Sequence, residues 1–216
     1  MNKLSKNKDR ICTIVSHTAH HLDKDGIIVG FGPTIQEIDY LATLFSIVYH
    51  CAPFHQDAPN SSLLRYKSNN VNYAPLKPAG GKTVIQKLMH LKYYFSNFSQ
   101  IKSCLKKSHF LHFRAPTSIG VLFLPWVLLF WKRGIWIKYA GSWIDESAPI
   151  TYKFQRWLLK RFPKRTIITL NGNFEGRRGN FLDFINPCFD NNTLQRATIT
   201  ANKKNFNGKL NLLFVG

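Results

Sequence analysis

The chain has 216 residues, 44% of them hydrophobic and 14% aromatic, which suffices for one large domain with a real core or for two small ones. Its 30 Lys and Arg against 11 Asp and Glu leave a net charge of +19, so the surface draws phosphates, nucleic acid or acidic lipid headgroups without choosing among them. The four cysteines, Cys12, Cys51, Cys104 and Cys188, lie far apart with no CxxC pair; this gives no zinc or thiol-redox motif and fits reduced thiols in a cytosolic protein.

In chain order, the basic start MNKLSKNKDR is followed by only ICTIV, too short for the apolar core of a secretory signal. Residues 11–16 (ICTIVS) form a short apolar run, as expected of a strand buried on both faces. A polar loop over 17–32 follows, and Pro33 opens a helix whose Ile35, Ile38, Leu41 and Phe45 recur at three and four residues. A second strand is predicted over 47–51. Residues 52–68 read as irregular, residues 70–76 as a third strand, and 83–107 as a long helix with an apolar stripe and lysines off it.

Residues 109–143 read as strand, apolar helix, strand. The helix, 119–131, carries no charge, contains Pro125, and is shorter than the roughly 20 residues a bilayer crossing needs, so it is expected to pack on a sheet. A helix over 149–162 places Lys153, Arg156 and Lys160 along one side, either an ordinary outer helix or a basic amphipathic one suited to an anionic membrane. Strands are predicted over 166–170 and 181–185. A polar segment over 190–208 reads as a helix start and a linker, and 209–216 (KLNLLFVG) as a buried strand; one lone strand cannot bury itself, so it either returns to the sheet already built or is the first strand of a second domain. Strands alternating with helices predict an α/β, doubly wound, mainly parallel sheet of Rossmann-like type.

In such sheets ligands bind beyond the carboxyl ends of the strands. Three places there could carry chemistry. Gly30 and Gly32 flank Phe31 where a loop enters a helix, and small residues there let backbone approach an anion. His112 and Arg114 lie two apart on a strand and so share a face; Arg114 suits bidentate pairing with phosphate or carboxylate. Lys138, Ser142 and Trp143 lie on and beyond the next strand, where an indole beside polar groups suits stacking on a sugar or packing on a neighbouring loop. No Ser-His-Asp motif, P-loop or metal-ligand cluster is recognisable.

Several stretches in order, SHTAHHLDKDGIIVGFGPTIQEIDYLATLF, HFRAPTSIG, WIKYAGSW, YKFQRWLLKR, ITLNG and INPC, resemble the amino-terminal half of a GT-B glycosyltransferase of the retaining family 4 (group 1) type. The resemblance implies two Rossmann-like domains with the active site between them. Residues 1–208 would be the acceptor-side domain with its linker, and 209–216 the first strand of a carboxy-terminal donor-binding domain, so this chain would be a fragment inactive alone. It implies sugar transfer from a nucleotide-sugar to a glycan or lipid-linked acceptor in bacterial cell-surface polysaccharide synthesis, with no metal or other cofactor. It places Gly30 and Gly32 at the donor phosphates and Lys138, Ser142 and Trp143 on the acceptor. Many relatives carry an HxH-like segment in the active site; here it is His112-Phe113-Arg114, which puts a His-assisted mechanism in doubt and makes Arg114 the candidate beside His112. The expected location is cytoplasmic, or peripheral on the inner face of the membrane through Lys153, Arg156 and Lys160. The rival expectation is a non-catalytic basic module docking on anionic membrane or nucleic acid; the spread of Lys and Arg and the lack of a nucleic-acid motif disfavour the latter.

Overall fold

The computed structural model describes the main chain of residues 9–57, 63–78, 84–161, 166–171, 179–184 and 191–204, with side chains throughout except at 84–92, 191 and 193. The chain divides into two compact units, 1–185 and 186–216. The first contains β1 (Ile11–Val15), β2 (His20–Leu22), β3 (Ile28–Phe31), α1 (Gly32–Ala42), β4 (Ile47–Pro53), β5 (Leu63–Arg65), β6 (Val71–Leu76), α2 (Val84–Lys107), β7 (Phe110–Ala115), α3 (Gly120–Phe130), β8 (Gly134–Tyr139), α4 (Ile150–Arg161), β9 (Thr166–Asn171) and β10 (Phe181–Phe184). The second contains α5 (Asn191–Asn202), a full helix where the sequence predicts a helix start and a linker. The strand predicted over 209–216 lies outside the described residues.

Seven strands form one sheet in the order β10-β9-β8-β7-β1-β4-β6, every adjacent pair parallel. This is the Rossmann-like doubly wound arrangement that the alternating pattern predicts. Its central strands are short apolar runs because both faces are covered. Val15, Cys51, Phe113 and Ile137 face the core under α2, α3 and α4, where Ile101, Phe123, Leu124, Val127 and Leu159 meet them. Cys12, Ile14 and Val48 point the other way, against Ile38, Leu41 and Ala42 of α1. The long helix α2 packs edge-on to α3 through Phe98 and Trp126, ring centroids 5.1 Å apart.

The polar loop expected over 17–32 instead supplies two of the three strands of a second sheet. β2 and β3 form an antiparallel hairpin, and β3 also pairs with β5, inside the stretch expected to be irregular. Asp23-Lys24-Asp25-Gly26 makes the turn: the Asp23 carboxylate accepts the N–H groups of Asp25 and Ile27, and Gly26 adopts φ +73°, a conformation that favours glycine. Arg65 of β5 closes the hairpin by pairing with both Asp23 and Asp25. Tertiary pairing recruits these strands of three or four residues, too short for local periodicity to single out.

Gly30 lies in β3 of this hairpin, opposite His20. A Cβ there would lie 2.7 Å from His20 Nε2 and 2.8 Å from Ile35 Cδ1. Gly30→Ala should therefore displace the His20 ring or helix α1 and lower stability by about 1–3 kcal/mol, as overpacking does. Urea denaturation would show it; an unchanged midpoint would mean the hairpin yields freely.

Candidate functional site at the sheet switch point

β1 and β7 are neighbours, yet the chain leaves them for opposite faces, through α1 from β1 and through α3 from β7. Their carboxyl ends therefore part, which is where an open α/β sheet forms a crevice. A cavity of about 240 Å³ occupies this place. Ser16 and His17 line it from the end of β1, Thr117 and Ser118 from the end of β7, His55 from beyond β4, and Lys77 from the end of β6.

Two buried amides set its walls. Asn97 of α2 accepts the Lys77 N–H at 2.8 Å and donates to the Lys77 carbonyl at 2.9 Å. Gln155 of α4, fully buried, accepts the Thr117 N–H at 3.2 Å and donates to the Thr117 carbonyl at 2.9 Å. A Cβ on Gly120 would collide with the Gln155 amide oxygen. Neither residue stands out in the sequence, since a polar residue on a helix reads as surface.

Behind Ser16 runs a chain of side-chain hydrogen bonds: Ser16 Oγ to His50 Nε2 at 2.8 Å, His50 Nδ1 to Tyr66 Oη at 2.5 Å, Tyr66 Oη to His20 Nε2 at 2.7 Å, and His20 Nδ1 to the Thr18 carbonyl at 2.8 Å. A carbonyl only accepts, so His20 Nδ1 carries a proton. With His20 neutral, Nε2 accepts from the Tyr66 hydroxyl, His50 Nδ1 donates to that oxygen, and His50 Nε2 accepts from Ser16. The Thr18 N–H returns to Ser16 Oγ at 3.2 Å, closing a ring. The surroundings of His20 and His50 keep both rings neutral. Burial pushes His20 down to about 4 despite the Thr18 bond, with the charges of His21 and His55 adding to the shift. Burial, then His20, Arg114 and His112, holds His50 well below its ordinary value, and burial pushes the Tyr66 hydroxyl well up.

Beside this ring lies a buried ionic triad. Arg114 and Lys138 are register partners on β7 and β8, both facing α1. Glu37 of α1 reaches between them: Arg114 Nη1 lies 2.6 Å from one carboxylate oxygen, and Lys138 Nζ lies 2.9 and 2.8 Å from the two. Burial alone would raise the Glu37 pKa, but the Arg114 charge and the hydrogen bonds from Lys138 and Arg114 outweigh it and hold the carboxyl below its ordinary value. Two cations and one carboxylate leave one positive charge behind the cavity. His17, at the cavity rim, is depressed by desolvation and then by Arg114.

The structure separates the sequence candidates. Arg114 and Lys138 come together, but around Glu37, and Lys138 is 2% exposed with its ammonium over the Phe184 ring at 3.9 Å. His112 is interior, its ring 3.9 Å from that of Trp136, and among the described residues neither ring nitrogen has a hydrogen-bond partner. Gly30 is accounted for by packing on His20, and Gly32 is the buried first residue of α1. Ser142 is exposed, while Trp143 packs on Tyr139 and Phe181 with centroids at 5.1 and 5.5 Å, toward the opposite side of the sheet from Arg114. Arg156, expected on a solvated basic stripe, is buried and donates to the carbonyls of Ser142, Trp143 and Asp145. Sequence reasoning missed Ser16, His50, Tyr66, His20 and Glu37; the one available signal was the crowding of polar residues where strands end.

No group of three His, Cys, Asp or Glu side chains able to hold a metal ion occurs among the described residues. No protein-family model matches the chain, and no curated protein sequence matches it.

Two predictions come from these charges. Glu37→Gln leaves Arg114 and Lys138 buried without a counter-charge and should cost about 3–5 kcal/mol, part of which Lys138→Met in the same chain should return; guanidinium denaturation of the single and double variants decides it. The depressed histidines bind protons more readily when unfolded, so the stability they confer is complete above the ordinary value of 6.5 and is lost as pH falls below it, down to about 4 for His20 and to the still depressed folded value for His50. The slope should approach about 1.4 kcal/mol per pH unit for each such ring. Glu37 adds a second loss at lower pH, because its stabilisation is present above 4.5 and disappears as the folded-state carboxyl protonates. Unfolding free energies that stayed constant from pH 7 to 5 would contradict neutral His20 and His50.

Proposed function

We propose that this chain is the acceptor-side half of a retaining GT-B glycosyltransferase of family 4 type, moving a sugar from a nucleotide-sugar to a glycan or lipid-linked acceptor in cell-surface polysaccharide synthesis. The observation carrying this reading is the cavity at the switch point of a seven-stranded parallel sheet, where hydroxyls and a lysine stand among Pro53, Leu76, Pro78 and Ile119, in a chain whose sequence stretches follow the order of that family. The cavity's chemistry suits a sugar bearing phosphate: hydroxyls of Ser16, Thr117 and Ser118 and the neutral ring of His17 to pair with hydroxyl groups, and Lys77 to meet negative charge. The surplus positive charge of the Arg114–Lys138–Glu37 triad raises the potential at that end of the sheet. In this reading Arg114 acts on the reacting phosphates through its field, and the donor site belongs to a second Rossmann-like domain. The nucleotide-sugar is substrate, with no metal or other cofactor.

The test is nucleotide release. A product carrying a second Rossmann-like domain in frame after this chain, given a panel of common nucleotide-sugars and a lipid-linked acceptor, should release free nucleotide. Lys77→Ala should lower kcat/KM by about tenfold or more, the worth of one hydrogen bond to a charged group, while melting temperature stays close to the parent's; Ser16→Ala should lower both, because His50 Nε2 and the Thr18 N–H each lose a buried partner. No release or hydrolysis with any donor ends the proposal.

A further inference from the structure

The two faces of the main sheet differ in charge. On one side α1 carries Glu37 and Asp39. On the other, α2, α3 and α4 contain no acidic residue, and the chain has none at all between Asp57 and Asp145. These three helices form a continuous layer: Lys102 of α2 lies over Trp126 of α3 at 5.4 Å, and the α3 residue Gly120 packs against Gln155 of α4. Lys106, Lys107, Lys132, Arg133, Lys153 and Lys160 are exposed on or beside it. The nearest acids, Asp145 and Glu146, lie in the loop before α4, and Asp145 is bonded to the Ser147 N–H at 2.8 Å and hydroxyl at 2.6 Å.

The same layer exposes large apolar side chains. α3 is apolar all round, a composition of fully buried helices, yet only one of its stripes is covered. Leu129 and Phe130 are 61% and 65% exposed, and on α4 Trp157 is 56% exposed, stacked on Phe154. No helix among the described residues is long and apolar enough to cross a membrane. An apolar ridge flanked by cations, with Glu146 the one acid beside Lys153, Trp157 and Lys160 among the described residues, matches a surface lying on anionic lipid. Aliphatic and aromatic side chains enter the headgroup boundary there, and Lys and Arg meet the phosphates. Nucleic acid fits less well, because Leu122, Leu129 and Phe130 offer a greasy patch with no hydrogen-bonding groups among them.

We propose that the α2–α3–α4 face docks on an anionic bilayer, with the end of α3 and the exposed side of α4 at its centre. The proposal does not depend on sugar transfer. Of the basic residues anticipated for such a role, Lys153 and Lys160 take part and Arg156, buried beneath the loop it caps, does not.

Co-sedimentation of the chain with vesicles tests it. Binding should be strong to equimolar phosphatidylglycerol and phosphatidylcholine and at least about tenfold weaker to phosphatidylcholine alone, given the roughly 1 kcal/mol that each basic residue gains at such a surface. Lys153→Glu/Lys160→Glu and, separately, Leu129→Ser/Phe130→Ser should each reduce binding by about tenfold or more. Lys24→Glu/Lys67→Glu, which makes the same change in net charge on the α1 side, should leave it nearly intact. Circular dichroism melts confirm that each variant is folded. Absence of binding, equal binding to neutral vesicles, equal loss in the α1-side variant, or no loss in the two face variants overturns the proposal. So does tighter binding to a DNA duplex that is weakened by the same face variants, which would reassign the face to nucleic acid.

Discussion

The carboxylate of Glu37 is the constraint on which the α1 side of the molecule is built. Parallel pairing of β7 with β8 sets Arg114 beside Lys138, two cations pointing the same way under a helix. Neither could stay charged there without a partner, and together they would repel. One acid from α1 answers both. In doing so it determines which turn of α1 lies over the carboxyl ends of β7 and β8. The hairpin β2–β3 runs directly into α1, so its position follows, and with it His20 and the ring that reaches Ser16.

The polar residues are concentrated on this side, at the carboxyl ends. The opposite side is ordinary close packing, with Phe113, Phe123, Leu124, Ile137 and Leu159 almost without exposure. The division is one of labour. α2, α3 and α4 supply the apolar burial that holds the sheet together, and α1 covers a layer of histidines, tyrosines and ions that contributes less stability but shapes the electrostatics of the crevice. That layer makes the protein acid-sensitive, since every buried imidazole in it favours the unfolded chain once protons become available.

Much of the main sheet was legible in the sequence because its elements are governed by local pattern. Apolar runs such as ICTIV and TIITL mark strands covered on both faces, and Ile35, Ile38 and Leu41 mark the buried stripe of α1. The hairpin was not, although Asp-Lys-Asp-Gly between two short runs is a turn signal; its strands are too short to stand out without β5, which arrives from a distant part of the chain. Individual site residues were harder still. Arg114 and Lys138 were visible as strand-end cations, but their partner on α1 was not, because pairing between residues 77 and 101 positions apart leaves no local trace. Trp143 beside Ser142 suggested one wall, and the loop after β8 instead packs its ring on Tyr139 and Phe181, on the far side of the sheet.

The hydrogen-bond ring has a further consequence for what the crevice can hold. Its two backbone members cannot exchange roles: the Thr18 amide only gives and the Thr18 carbonyl only receives. The circuit therefore runs in a single sense, and the proton of Ser16 is already committed to His50. Toward the cavity Ser16 presents a lone pair and no hydrogen. A guest at that point must bring its own proton, as an alcohol or a protonated amine does, and a bare anionic oxygen is turned away there towards Lys77. Two neutral imidazoles and a phenol thus give the crevice a sense of direction, distinguishing the hydroxylated end of a ligand from its charged end.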